Sequence, residues 1–539
     1  MLPLWAVATL LVVVIWPQAA QASVIKDWAG GTDVNWATGS NWVGGSKPGS
    51  SDAARFATHT TQYQPNVGNS GTTQVGELMF TGGDWNLTGS GSATLQINGS
   101  YSGSSGVGIS ATGGNNTISV PTVMFNADQS WDIETGASLT VSGYVNFNKM
   151  GFTKTGDGTL TLSHDNSADK FSTGTLSAGT LVVANANALG DLTKPLNLNG
   201  GTLDLATDTS VSAYDMVVGG NATIQSDRAT AGAGITHTLG TLSIGANTLT
   251  VQKGTDVTSG TAGLTFGAVT LTGNATINTN TGALTTLGAV SGSGKNFAIG
   301  GAGNTTISGV IGTTTGTLTK NGAGTLTLSG ANTYTGATTI SAGTILVQNA
   351  SAFSAGTAVT VQNGAALAVD SGVTLTKTAT WQSGSILGGN GKYDIGSVFG
   401  SSGVHIAPGT SIGTLTIDDG VNLSSGGILD VQVSGATADL LNITNTSGTG
   451  DLTLGGTSVL NVTELNPGTF TSIAIVTYAG TRSGQFTTVN LPSAAYSISY
   501  DDLGKRILLM PEPQTMTLMG VGSLFIGVPW IRKRKRRTD

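Results

Sequence analysis

Short runs in which Leu, Ile or Val alternates with Thr recur along most of this chain. Thr159-Leu160-Thr161-Leu162 and Thr325-Leu326-Thr327-Leu328 are the clearest, and Leu196-Asn197-Leu198, Thr248-Leu249-Thr250-Val251 and Val359-Thr360-Val361 are looser versions. A period of two sends successive side chains to opposite faces, so each run predicts a strand with one apolar side. Gly-rich corners bound the runs: Gly156-Asp157-Gly158 and Gly322-Ala323-Gly324 precede them, and Ala178-Gly179 and Ala342-Gly343 precede the next strands. One such unit cannot bury its own Leu face, and stacking on like units supplies the missing core. The pattern therefore predicts an all-β chain wound as a right-handed parallel β-helix, or solenoid, with β-rich caps. With strands about 4.8 Å apart and roughly 20 to 25 residues per coil, some 350 to 400 residues would stack to a rod on the order of 70 to 95 Å.

Two long copies carry the pattern. One runs Thr153-Lys154-Thr155-Gly156-Asp157-Gly158-Thr159-Leu160-Thr161-Leu162-Ser163 and continues to Ser177-Ala178-Gly179-Thr180-Leu181-Val182-Val183. The other runs Thr319-Lys320-Asn321-Gly322-Ala323-Gly324-Thr325-Leu326-Thr327-Leu328-Ser329, then through Asn332-Thr333-Tyr334-Thr335-Gly336 to Ser341-Ala342-Gly343-Thr344-Ile345-Leu346-Val347. These copies, within 151–185 and 316–350, resemble the autotransporter-associated β-strand repeat, also called the passenger-associated transport repeat. The first copy has Ala168-Asp169-Lys170-Phe171-Ser172 in place of the Asn-Thr-Tyr-Thr-Gly corner. Ile406-Ala407-Pro408-Gly409-Thr410-Ser411-Ile412-Gly413 resembles the region that follows such repeats.

The termini differ from the body. An apolar stretch ending at Trp16 is followed by Ala20-Gln21-Ala22. That is the layout of a cleavable signal peptide over 1–22, with Ala20 and Ala22 at the cleavage site, although the leading region lacks Lys and Arg; the alternative is an uncleaved anchor. At the other end Pro511-Glu512-Pro513 precedes the uncharged stretch Gln514 to Ile531 and the cations Arg532, Lys533, Arg534, Lys535, Arg536 and Arg537. The stretch is close to the ~20 residues that a helix needs to span a bilayer, with the cations held on the cytoplasmic side.

This three-part tail over 510–539 resembles the PEP-CTERM sorting signal of Gram-negative bacteria. The resemblance implies recognition by an exosortase, a membrane-embedded cysteine peptidase, and association with exopolysaccharide or biofilm. Met510 where Val is usual, and Pro529 within the apolar stretch, depart from the pattern. A permanent single-helix tail anchor is the alternative.

The expected order is thus a signal peptide, a Trp-rich N-terminal cap over 23–75, a solenoid over 76–425, a C-terminal β cap over 426–509 and the sorting tail. A self-translocating autotransporter would carry its own C-terminal barrel of amphipathic strands, which this pattern does not predict.

Composition narrows the chemistry. The 539 residues include 82 Gly and no Cys, and 9% are charged, so thiolate sites and disulfides are excluded. The net charge is −7; without the six cations at 532–537 and Asp539 the body holds sixteen basic against twenty-eight acidic groups, near −12. A basic footprint for nucleic acid is missing.

His59, His164, His237 and His405 are far apart, and no cofactor is expected. Gly292-Ser293-Gly294-Lys295 lacks the first Gly and the hydroxyl of a phosphate loop, and Gly388-Gly389-Asn390-Gly391-Lys392-Tyr393-Asp394 is a single displaced calcium-roll turn. The nearest carboxylate sets are Asp204 with Asp208, Asp418-Asp419 and Asp501-Asp502. Adjacent Asp residues in a strand point to opposite faces, so the latter two sets read as turns or solvated edges, and catalysis is not the preferred reading.

Trp28, Trp36 and Trp42 could stack on sugar rings or pack as a cap; packing is the preferred reading. The expected function is a non-enzymatic surface or matrix protein, adhesin-like or structural. Its partners would be signal peptidase and exosortase during export, a transient membrane contact, and exopolysaccharide or other surface proteins. A β-helix carbohydrate-active enzyme and a sugar-binding protein are the alternatives.

Overall fold

The computed structural model describes residues 23–57, 64–104, 106–169, 172–191, 194–396, 398–399 and 402–511. They form two compact units, one running through Ile395 and including 403–405, the other comprising 396–402 and everything from Ile406.

In the first unit the alternating runs form a parallel β-solenoid. Its first face has 13 strands in chain order, from Ile25–Asp27 to Ile311–Gly312, and its second has 14, from Asn86–Thr88 to Thr380–Trp381. Leu160, Leu181, Leu203, Ile224 and Val251 stack in register inside the second face, each buried. Coils of 21 and 22 residues separate the first four, as the sequence predicts, but Ile224 to Val251 takes 27. The longer coils hold an additional two-stranded pairing, Gly232–Ala233 with Val257–Ser259.

The third face is discontinuous. Thr72–Val75, Thr94–Ile97, Thr122–Phe125 and Tyr144–Asn146 build it first. Between Leu162 and Gly174, and between Val183 and Leu196, no strand occurs among the described residues. The face resumes at Thr236–Thr238 and continues in parallel register through Ala262–Phe266, Ala283–Leu287, Asn304–Ile307, Thr325–Leu328, Thr344–Val347 and Ala366–Val369 to Ile386–Gly389.

The Trp-rich segment is part of the ladder as well as a cap. Ile25–Asp27 already pairs in parallel with Ala53–Phe56, so the solenoid begins inside the region expected to be a cap. Trp28, Trp36 and Trp42 are only 6%, 1% and 2% exposed. Trp42 packs edge-on against Trp28 at 5.0 Å and against Trp36 at 4.7 Å, and Trp36 reaches Phe56 at 6.0 Å. Asn41 ties this cluster down: its Oδ1 accepts from the Thr32 and Asp33 N–H groups, and its Nδ2 donates to Asp33 Oδ1 at 2.6 Å and to the Asn35 carbonyl at 2.9 Å. A sugar ring would meet very little indole surface here.

The second unit also runs mainly in parallel. Ile428–Ser434 pairs with Val459–Asn466, which pairs with Thr488–Asn490, while Thr414–Asp418 pairs with Leu440–Thr444. A ladder therefore runs well past the boundary expected near residue 426. Antiparallel pairing in this unit is limited, among the described residues, to the short strand Thr437–Ala438 against Ile428–Ser434 and to the end, where Arg506–Pro511 lies between Ile473–Tyr478 and Tyr496–Asp501. Among the described residues no helix is long and apolar enough to cross a membrane. The expected signal peptide, with Ala20 and Ala22, and the tail from Glu512 lie outside the described residues.

Because each buried Leu fills a hole made by the coils on both sides, truncation leaves a cavity that one coil cannot close. Leu326→Ala is expected to cost about 2 to 5 kcal/mol, measured as a lower denaturation midpoint with an unchanged β-type circular dichroism spectrum.

Candidate functional site: the repeat corners

The two long copies fold into the same corner, and its most informative residue points inward. Phe152–Thr155 has Phe152 and Lys154 buried and its two Thr residues outward; Leu318–Lys320 has Leu318 and Lys320 buried. Lys154 is 0% exposed and Lys320 is 1% exposed. A buried ammonium needs acceptors on several sides. Lys154 Nζ donates to the carbonyls of Thr155 at 2.5 Å, Gly156 at 2.7 Å and, one coil further on, Ala178 at 3.4 Å. Lys320 Nζ donates to the Gly322 carbonyl and, again one coil on, to Ala342 at 3.3 Å. Burial pulls both ammonium groups down to about 8; at Lys154 the carboxylates of Asp132, Asp157 and Glu134 act against that shift.

Glycine makes the carbonyls converge. Gly179 and Gly343 have φ of +67° and +66°, and a Cβ on either would lie 2.4 Å from two carbonyl oxygens of the preceding corner. Those oxygens belong to Gly156 and Gly158 in one copy and to Gly322 and Gly324 in the other. Each Ala-Gly corner thus sits directly on the Gly-x-Gly corner before it.

Twelve residues beyond each lysine, a buried asparagine bridges three coils. Asn332 Oδ1 accepts from the Ile311 N–H at 2.8 Å and its Nδ2 donates to the Ala352 carbonyl at 2.7 Å. Asn166 does the same with Val145 N–H at 2.8 Å and the Ala188 carbonyl at 2.6 Å. The first copy lacks the full Asn-Thr-Tyr-Thr-Gly segment yet keeps its bridging residue. What it lacks is Tyr334, which is fully buried and whose hydroxyl lies 2.7 Å from Thr338 Oγ1.

The copies occupy different faces. In the first, the Lys strand lies on the first face and Thr159–Leu162 on the second; in the second, the Lys strand lies on the second face and Thr325–Leu328 on the third. The motif is a corner that is not tied to one particular pair of faces. Sequence reasoning passed over both lysines; the signal was their place two residues after Phe152 and Leu318, the inward parity of a strand.

Most of the carboxylates singled out in the sequence face cations or hydroxyls. Asp208 pairs with Arg228 at 3.0 Å, Asp501 with Arg506 at 2.8 Å and Asp502 with Arg482 at 2.7 Å. Asp418 accepts from Thr444 and Thr446. Asp204 is pushed up to about 7 by burial and by the charges of Asp227 and Asp256, and its Oδ1 is buried without a hydrogen-bond partner. Asp227 is occupied by the N–H groups of Arg228, Thr255 and Asp256. Among the described residues no cluster of three or more His, Cys, Asp or Glu could hold a metal ion. Of the expected sorting residues only Pro511 is described, closing the strand opposite Tyr496; Glu512, Pro513, Arg532, Lys533, Arg534, Lys535, Arg536 and Arg537 lie outside, as does His59.

His237 is fully buried where the third face resumes. Its Nδ1 accepts from the Val211 N–H at 3.4 Å and its Nε2 faces the Asp227 carbonyl at 2.9 Å, partners that fit a neutral ring protonated on Nε2.

With this geometry in place, the family model for the passenger-associated-transport-repeat matches residues 152–183 and 318–347, the two corner copies. No curated protein matches the chain.

Two outcomes follow from these buried polar groups. Asn332→Ala strands the Ile311 N–H and the Ala352 carbonyl, for an expected loss of about 2 to 4 kcal/mol in chemical denaturation, against little change for the surface variant Ser329→Ala. His237 has its pKa lowered from 6.5 by burial, against the opposing pull of Asp227. Its stabilising contribution is complete above pH 6.5 and is lost as pH falls through the folded-state value. The midpoint should therefore drop on acidification from pH 7 to pH 5, and His237→Gln should flatten that slope.

Proposed function

We propose that this chain is an exported, non-enzymatic β-solenoid of the passenger type, wound right-handed, that serves at the cell surface or in the extracellular matrix as a structural or adhesin-like element. The observation that carries the proposal is the pair of passenger-repeat corners built into a parallel ladder. In them the buried polar groups, Lys154, Lys320, Asn166 and Asn332, join coil to coil. Groups spent on internal hydrogen bonds serve stiffness rather than turnover, and a stacked shaft gives reach without an active site.

The address at each end is part of the same proposal. Signal peptidase would act after Ala22, the apolar stretch from Gln514 would hold the precursor in the inner membrane for a time, and an exosortase would cut near Pro511-Glu512-Pro513. Exopolysaccharide is the proposed surrounding, suited to sheet faces with few charges. Nucleic acid is not a proposed partner, because the body has an acidic balance.

One observation favours an enzyme instead. The raised pKa and unpartnered oxygen of Asp204 are properties of a general acid. Cleavage of an acidic polysaccharide that disappears in Asp204→Asn would replace the structural reading.

The test of export and release is the intact mass of the surface-exposed product. The expected mass begins at Ser23 and lacks the tail; retention of 514–539 would contradict release.

A further inference from the structure

The last sheet of the second unit finishes on an open edge. Tyr496–Asp501 is outermost, paired antiparallel to Arg506–Pro511 on one side only. The Tyr496 N–H reaches the Ser493 carbonyl at 3.4 Å; on the outer side Ser497 to Tyr500 have no backbone partner among the described residues. One side-chain face is fastened down. Tyr496 donates to Glu464 Oε1 at 2.6 Å and stacks on Phe470, while the Tyr500 hydroxyl accepts from the Phe486 N–H at 3.0 Å beneath the Arg482 guanidinium at 4.7 Å. Ser497 and Ser499 therefore point the other way. Lys, Pro and bulges, the usual devices that blunt an edge, are missing from 496–500. Leu503, at the adjoining hairpin tip, is fully exposed.

We propose that this edge is a docking surface for a second copy of the chain, which adds its own Tyr496–Asp501 antiparallel about a two-fold axis at Ile498. A two-fold interface must be self-complementary, and the sequence Tyr-Ser-Ile-Ser-Tyr is. Tyr496 comes to stand opposite the partner's Tyr500, Ser497 opposite the partner's Ser499, and Ile498 opposite itself. The palindrome selects this register, and charge is compatible with it. Asp501 falls opposite Ala495 and is already balanced by Arg506 at 2.8 Å, so like charges do not meet. Moving the axis to Ser499 or Tyr500 would set Asp502 opposite Tyr496 or Ile498. A single strand pair is far smaller than the 20 to 30 residues a side of a standard interface, so the dimer is weak, with a dissociation constant on the order of 10 to 100 μM.

Sedimentation velocity of the full-length chain in mild detergent, from about 1 to 200 μM, should show a concentration-dependent dimer over this range. Ser497→Lys with Ser499→Lys sets ammonium groups opposite one another, and should weaken the dimer at least about tenfold without altering the circular dichroism spectrum. The chain has no Cys, so Ile498→Cys supplies its only thiol. Directly opposed residues lie about 4.5 to 5.5 Å apart at Cα, within disulfide reach, so oxidation should cross-link this variant at least about tenfold faster than Leu503→Cys. A monomer throughout the range, a dimer indifferent to the two lysines, or equal cross-linking of the two Cys variants would overturn the proposal.

Discussion

Every element of the first unit depends on one constraint, that a coil is stable only while its backbone groups pair with the coils before and after it. Leu181 is buried because Leu160 and Leu203 lie on either side of it in register, and the same holds for Ile345 between Leu326 and Leu367. A slip of one residue along either ladder would turn the whole apolar set outward. The alternation of Leu with Thr fixes the phase of each strand, and the stacking fixes its neighbours.

Corners are where that constraint is hardest to meet, because the chain bends while its carbonyls still need donors. Glycine allows Gly179 and Gly343 to sit close enough on the preceding corner for its carbonyl oxygens to come within 2.4 Å of where a Cβ would stand. There the lysine ammonium donates to carbonyls of its own corner and of the Ala-Gly corner one coil on. Asn166 and Asn332 do the same work between strands, each accepting from one coil and donating to another. Buried polar groups of this kind demand complete partnering, so they fix coil against coil more sharply than Leu stacking alone.

The outward surface follows from the same alternation. Thr238, Thr265, Thr286, Thr306 and Thr327 form a column, one hydroxyl per coil, along the third face. A face of that kind is wettable and uncharged. Each unit closes differently: aromatic rings pack over the first coil of the first unit, and the second unit has an antiparallel hairpin whose outer strand is paired on one side only.

The sequence by itself determined the class of fold, the positions of the strands and the two related corners, because period-two alternation and Gly-rich bends are local properties that a few residues can specify. It also placed Trp28, Trp36 and Trp42 together at the first coil. It did not show which faces the corners join, since the same residues turn from the first face to the second in one copy and from the second to the third in the other. Nor did it show that Lys154 and Lys320 face inward, that Asn166 stands in for Asn332, or that a parallel ladder runs on past residue 426. Those outcomes depend on atoms about one coil away: the Ala178 carbonyl for Lys154, the Ile311 N–H for Asn332, and Val459–Asn466 for Ile428–Ser434. A buried ammonium or amide is stable only beside particular partners, and only the stacked coils bring partners from different turns together.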